Sequence, residues 1–392
     1  MWRRILGSRG VSKFRRDKFA LVSLAVIVVY LGAAIAVALG AISRDETFAR
    51  VGPNSLVGFF ETPTVEQRIA YTDFYIDQVR TAGERGDDAL RALDVYGLEP
   101  RFSEAEAALA VVEPLFERFE AVAIASEGDD GLDAAGLARL SEVEREARTL
   151  WVEPSGWQGT KRALSLQLGT DRQGRSILLR ALYSIKVAAQ IGLVAALFSV
   201  VIGTALGGAA AYFGGVVDHA IVWLYSTFSA IPYIVLLMVL ASMFLGSPVE
   251  NTLIPVYVAF CMTFWIGPCR VIRGEVMKLR ELEYVQAATT LGFGRMRILL
   301  RHVLPNTLHL MFINFSLLFI GAIKAEVILS FLGLGVKDQP SWGVMIKEAG
   351  QEVIGGFFWQ IGAATFFMFV LVLAFNVLSD ALQDAFDPKH VG

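Results

Sequence analysis

Apolar residues gather in six runs along the chain: Phe19–Ile42, Tyr183–Phe213, Ala220–Leu245, Thr252–Cys269, Thr307–Phe331 and Phe357–Leu378. Each reaches or approaches the ~20 residues that a helix needs to cross a ~30 Å hydrocarbon core. Backbone N–H and C=O groups find no water in lipid, so runs of this length predict membrane-spanning helices. Between the first and second runs the pattern changes. There Leu109, Val112, Phe116, Phe119 and Ala123 recur at three- and four-residue steps, and Leu137, Leu140, Val143, Ala147 and Leu150 nearly repeat them. This spacing predicts amphipathic helices with one apolar face. Ser103 and Glu106 have the form of a capping box, Pro114 is expected to kink or restart its helix, and the GERGDD (83–88) and EGDDG (127–131) stretches predict turns. The expected architecture is an all-α integral membrane protein with six spans and a helical insert at 43–167. That insert is either a self-contained hairpin or bundle, or a coiled-coil partner for another chain.

Charge sharpens this division. Residues 43–168 hold 24 Asp/Glu and 13 Lys/Arg, a net of −11, whereas the rest holds 14 and 22, a net of +8. An acidic module excludes nucleic acid as its partner, because binding phosphate needs a basic face. Seven cations lie ahead of the first span, at Arg3, Arg4, Arg9, Lys13, Arg15, Arg16 and Lys18. AVALGAIS faintly resembles a cleavage site, but the apolar run exceeds the 7–15 residues of a signal core, so a retained anchor is expected. The positive-inside rule places 1–18 in the cytoplasm, 43–182 outside, 270–306 inside, 332–356 outside and the C-terminus inside. Seven Lys/Arg in 270–306 against two in 332–356 agree with that alternation. Cys261 and Cys269 are the only cysteines, and both sit in or at the end of an apolar run. They predict small buried hydrophobes, with no disulfide framework and no metal site.

The polar interruption EYVQAATTLGFGRMRILLRHVLPN (283–306) carries the most information. Tyr284, Ala287, Ala288 and Leu291 share a face of a first short helix, which Gly292 ends, with Gly294 freeing the turn that follows. A second helix with Met296, Leu299, Leu300 and Val303 is expected to stop at Pro305. Two readings fit: a helix seated in a groove of another protein, or an interfacial helix on anionic lipid.

At this point the residues resemble a family. Gln286-Ala287-Ala288, Gly292 and His302-Val303-Leu304-Pro305 keep the full spacing of the "EAA" loop in permease subunits of ATP-binding-cassette importers, with Gln286 in place of Glu and His302 in place of Ile. LGTDRQGRS (168–176) resembles a segment that precedes the core of the C-type subunit in the dipeptide/oligopeptide/nickel permease group, with Ser176 replacing an Asp. LSFLGLGVKDQPSWGVMI (329–346), LAFNVLSDALQDAFDP (373–388) and YSTFSAIPYIVLLM (225–238) resemble further segments of that subunit, the last with Ser226 where an Asp is common. Together with the anchor, these cover about two thirds of the chain, 168–388 forming the transporter domain; the insert at 43–167 has no counterpart.

The resemblance implies a type I importer fold and a gate moved by ATPases. It implies a homologous B-type permease subunit, two nucleotide-binding ATPase subunits and an extracytoplasmic solute-binding protein as partners, in a bacterial inner membrane. ATP and Mg would sit on the ATPases; this chain has no GxxxxGK[ST] and is expected to bind no cofactor and catalyse nothing alone. The implied ATPase-coupling residues are Glu283, Tyr284, Gln286, Ala287, Ala288, Leu291, Gly292, Arg295, Leu304 and Pro305. Ser226, Pro232, Glu326 and Trp342 are the implied pathway or gate residues. Gly203 and Gly207 allow close helix contact, internally or at a subunit seam, and Pro232 and Pro268 predict kinks or a hinge. Lys324 and Glu326 should point apart. Asp218 and His219 predict a tight turn, and Asp171 a structural turn or cap rather than a catalytic acid. A secondary transporter would need midplane ionisable groups, and a scaffold acting through the insert would leave the later motifs unexplained.

Overall fold

The computed structural model describes residues 17–55, 62–126 and 132–386. Of the basic lead only Lys18 falls within them; the turn expected at 127–131 and the last two residues of the 373–388 stretch lie outside the described residues. The chain divides into two compact units: residues 40–183 with 348–364, and the remainder.

Helix α1 (Lys18–Ala38) opens on Asp17, whose carboxylate accepts the N–H groups of Phe19 and Ala20. Its 21 residues give about 31 Å of helix, the thickness of a hydrocarbon core. Next come α2 (Arg44–Phe48), α3 (Val65–Arg85) and α4 (Asp87–Arg91). The strand β1 (Glu99–Pro100) precedes α5 (Ala105–Ser126) and α6 (Ala134–Thr149); β2 (Trp151–Val152) pairs antiparallel with β1, and α7 (Gly156–Ser165) follows.

Of the expected hairpin or bundle, the described residues form a three-helix bundle. Phe74, Ile76 and Val79 of α3 meet Val112, Leu115 and Phe119 of α5 and Val143 and Ala147 of α6 in one apolar core. Gly86, at φ +103°, makes the sharp break between α3 and α4 that GERGDD predicts. Two expectations fail locally. Helix α5 runs unbroken through Pro114, which lies on the water-facing side, where the freed Ala110 carbonyl is open to solvent. The packed opposite face keeps the helix continuous. Its N-terminus takes no Ser103–Glu106 box either; Asp87 reaches across from α4 to accept the Ala105 N–H at 2.7 Å. Capping boxes form instead at Ser43–Glu46 and Thr64–Gln67.

The membrane-length elements continue with α8 (Ile177–Phe213), α9 (Gly215–Ser229), α10 (Tyr233–Ser242), α11 (Ile254–Phe264) and α12 (Ile266–Leu279). After them come α13 (Glu283–Thr290), α14 (Arg295–Ile298), α15 (Leu308–Phe331), α16 (Trp342–Ile354) and α17 (Trp359–Phe386). Among the described residues, five helical stretches are long and apolar enough to span: α1, α8, Ile254–Leu279, Arg295–Phe331 and Trp359–Asp384. The predicted span Ala220–Leu245 differs. It is split between α9 and α10, which bend by 88° at Ala230–Pro232, so it is one broken span or a re-entrant segment. Pro232 at the N-cap of α10 lacks the N–H that would continue the helix, and its ring excludes the residue before it from helical geometry.

Gly203 and Gly207 act internally. A β-carbon at Gly203 would sit 2.6 Å from the Trp265 carbonyl oxygen, and one at Gly207 would collide with the carbonyl of Cys269. Helix α8 thus crosses the 254–279 stretch at backbone contact distance, which only glycine permits. Cys269 is buried and Cys261 half-buried, as small hydrophobes should be.

Candidate coupling surface and pathway residues

The 283–306 segment is built from the inside out. Val285 and Ala288 of α13 are buried against Ala211 of α8, Ile272 and Val276 of α12, and Ile298, Leu299 and Val303. The helix ends in a Schellman arrangement: Gly292 at φ +79° donates to the Thr289 carbonyl (3.0 Å), and Phe293 donates to that of Ala288 (3.2 Å). A left-handed C′ residue is the reason for glycine here. One expectation needs correction. Ala288 does not share an outward face with Tyr284, Ala287 and Leu291; at 5% exposure it belongs to this chain's own core. What faces outward is Glu283, Tyr284, Gln286, Ala287, Leu291 (75% exposed), Gly292 and Arg295.

The return path also departs from prediction. Pro305 does not stop the second helix. The chain passes from α14 through a π turn (Leu299–Val303) and a 3-10 turn (Leu304–Thr307) into α15, with Pro305 at the start of the 3-10 turn, where its missing N–H is harmless. Leu304 lies over Gly208 of α8, and Asn306 donates to the Tyr284 hydroxyl (2.8 Å) and the His302 carbonyl (2.8 Å). Arg280 donates to the Ala211 carbonyl at 2.8 Å. Arg273 makes a two-pronged pair with Asp218 (2.6 and 2.8 Å), and Arg270 reaches the Ser229 hydroxyl at 2.7 Å while covering the Tyr225 ring. Three arginines of 270–280 therefore brace the loop to the ends of α8 and α9. Asp218, expected only to turn the chain, is one of the anchors.

Gln286 donates its side-chain amide to the Glu281 carbonyl at 3.1 Å. A glutamate cannot make that bond, because a carboxylate has no donor. The bond is exposed and weak, on the order of 1 kcal/mol or less. Gln286→Glu is therefore expected to leave thermal stability nearly unchanged, within the ~1 kcal/mol of that bond, and melting curves of the two proteins check it.

The four pathway candidates separate. Ser226 lies exposed on α9, none of whose residues is buried, and Pro232 is exposed at the bend. Glu326 and Trp342 are both buried within this chain, at 2% and 1% exposure. Ser330 donates to the Glu326 carboxylate at 2.6 Å and accepts the Val336 N–H at 3.1 Å, and Ser341 is a second partner of Glu326. Gly335 and Gly343 close over Ser330 with no room for a β-carbon. The motif SFLGLG…PSWG is thus a cap folded onto a buried carboxylate, and Trp342 opens α16 inside it rather than shaping a free loop. Lys324 points away from Glu326 and is exposed, as expected.

The sequence motif LGTD proves to be the centre of an ionic network. Asp171 accepts from the N–H groups of Gln173 and Arg175 and from the side chains of Arg175 (2.7 Å) and Arg180 (2.6 Å). Both arginines also bind Glu348, at 2.8 and 2.6 Å, and the Arg172 N–H donates to Glu352 at 2.9 Å. The expected turn is present, but the two further carboxylates come from α16, too far along the chain for any local pattern to reveal them. Burial pushes the Glu352 carboxyl above the usual carboxylate range, opposed by the Arg172 N–H. A carboxyl raised in this way contributes stability below its ordinary titration range and loses it as pH rises through the folded value. Glu352→Gln is expected to flatten the decline in thermal stability as pH rises above the ordinary carboxylate range; melting curves taken at increasing pH check it. At the loop between α10 and α11, Lys337 and the Gly246 N–H hold the Glu250 carboxyl below its usual range.

Helical stretches of membrane length joined by a braced polar loop define a multi-pass membrane protein. Residues 199–391 match the family described as "Binding-protein-dependent transport system inner membrane component". The dipeptide transport system permease protein DppC of Bacillus subtilis is 38% identical over 222 residues, 56% of this chain and 68% of that protein. The oligopeptide permease OppC of Salmonella typhimurium is 35% identical over 222 residues (56% and 72%). The metal-staphylopine permease CntC of Staphylococcus aureus is 43% identical over 223 residues (57% and 75%). The chain belongs to the family of binding-protein-dependent transport system inner membrane components, as a C-type permease subunit of an ATP-binding-cassette importer.

Proposed function

We propose that this chain forms half of a translocation pathway for peptides or similar small solutes, and that its 283–305 loop is where ATPase subunits push. The observation that carries this is the combination of an outward face with rigid support. Tyr284, Ala287 and Leu291 are exposed on a helix whose other side is buried in the chain's own core and whose ends are fixed by a Schellman turn and three arginines. A helix held in this way transmits displacement to α8, α12 and α15 as a unit, the requirement for coupling two distant sites through two discrete states.

The other half of the pathway is a homologous B-type permease. Two nucleotide-binding subunits supply ATP and Mg, and an extracytoplasmic solute-binding protein delivers the solute. Both termini and the 270–306 loop are cytoplasmic, and the 43–167 insert is extracytoplasmic. Peptide cargo is favoured by the names of the dipeptide and oligopeptide relatives. A scaffold reading accounts for the insert but not for the braced loop.

Leu291→Asp tests the coupling role. It puts a charge on an exposed apolar side chain outside the fold's core, so the subunit is expected to assemble in the membrane while ATP-driven uptake falls at least about tenfold, the ~1.4 kcal/mol effect of disrupting one apolar anchor. Normal uptake in this variant would contradict the proposal.

A further inference from the structure

Helix α7 is amphipathic in an inverted sense. Its two cations point inward. Lys161 pairs with Glu46 of α2 at 2.6 and 2.7 Å. Arg162 is buried and donates to the Val95 carbonyl (2.7 Å) and the Tyr75 hydroxyl (2.7 Å). Ser165 is buried beside them. The outward side consists of Trp157, Thr160, Ala163 and Leu164, all exposed and none charged. Trp157 is 71% exposed. The Thr160 hydroxyl is turned back onto the Gly156 carbonyl at 3.2 Å, so it offers little polarity to the outside. Trp157 and Leu164 stand two turns apart on one side of the helix.

A helix that turns its charges into protein and its tryptophan outward has its outer face covered by something apolar. We propose that the outer face of α7 rests in the interfacial layer of the phospholipid bilayer, with Trp157 and Leu164 inserted and the insert held down on the membrane. Two tethers argue for lipid over other occupants. Glu46, to which Lys161 is bound, lies eight residues beyond Ala38, the last residue of the membrane-length helix α1. Eight residues reach at most about 28 Å even when extended, and part of that stretch is coiled into α2. On its other side, α7 leads through the eleven residues 166–176 into α8, itself of membrane length. The face thus lies along the chain between two helices long and apolar enough to cross a bilayer. Tryptophan is the side chain that favours this layer, its ring apolar and its indole N–H wet.

The absence of charge on the face matters, because the insert carries a net of −11 and would be repelled by anionic headgroups. Docking through a neutral apolar face avoids this and makes contact depend on apolar burial alone. The inference rests on α1 and α8 crossing the bilayer, not on the transport reading.

The test uses the full chain in lipid nanodiscs of phosphatidylethanolamine and phosphatidylglycerol, with no binding protein present. Spin labels are placed singly at positions 157, 158 and 164 in a Cys261→Ser, Cys269→Ala background. Labels at 157 and 164 are expected to collide preferentially with oxygen and the label at 158 with a water-soluble nickel chelate, and high salt should leave this unchanged. Equal nickel access at all three positions would overturn the proposal. So would protection at 157 and 164 that appears only with added binding protein or with two copies per disc. If the cysteine-free background does not fold, Trp157→Phe in the native chain serves instead. Quenching by brominated phospholipid should then fall relative to the parent protein, and unchanged quenching would overturn the proposal. Labels within α1 report membrane insertion separately, so a failure of the spans is distinguishable from a failure of α7 to dock.

Discussion

Arg180→Met is expected to destabilise the protein by about 3–5 kcal/mol, the cost of removing one partner from a buried ion network. Arg180 is 1% exposed and shares its guanidinium between Asp171 and Glu348 at 2.6 Å each. Without it, Asp171 stays buried with only Arg175 to balance two carboxylates. Such a loss lowers the melting temperature and the yield of folded protein in detergent. The compensated variant, with Arg180→Met and Asp171→Asn together, should recover part of the loss, because the uncompensated charge has gone. If the single change left the melting temperature within a degree or so of the parent, the network would be ornamental.

Gly207→Val should be comparably damaging for a different reason. The added β-carbon would press on the Cys269 carbonyl and lie 3.1 Å from the Arg273 nitrogen, so the clash is with backbone and cannot be relieved by a rotamer change. Overpacking of this kind costs about 1–3 kcal/mol or more, and here it also displaces the base of the braced loop. Gly321→Ala provides the control. Nothing lies within 4 Å of the added atom, and alanine is the better helix former by about 1 kcal/mol. The expected pattern is a failure of assembly in the first variant and parental or higher thermal stability in the second. Equal behaviour would mean that α8 and the 254–279 stretch are not locked at backbone distance.

These positions also mark what the sequence does and does not disclose. Gly203 and Gly207 are legible because close helix approach has a fixed spacing and a single suitable residue. Gly292 is legible for the same reason: only a left-handed C′ residue ends α13 there, and the chain provides one. The six apolar runs predict six spans, whereas the described residues form five membrane-length stretches and one broken pair, since length and hydropathy register apolar content but not an 88° bend. Pro232 hints at a break without giving its angle. Ala288 misleads, because an alanine on a helical wheel fits a partner's groove and the chain's own core equally well. The Asp171 network is invisible for another reason: Glu348 lies 168 residues beyond Arg180, and ion pairing carries no periodic signal. Helix α7 is missed because Lys161 and Arg162 read as solvent-facing, whereas their partners Glu46 and Tyr75 come from distant segments and turn the helix over.

This subunit serves ATP-driven import. The most direct measurement is solute accumulation in proteoliposomes containing this chain, a B-type permease and two ATPase subunits, with the binding protein and a labelled dipeptide outside and ATP inside. Uptake is expected to require ATP and binding protein together and to collapse with Leu291→Asp. Uptake driven by an ion gradient alone, without ATP and indifferent to Leu291→Asp, would contradict it.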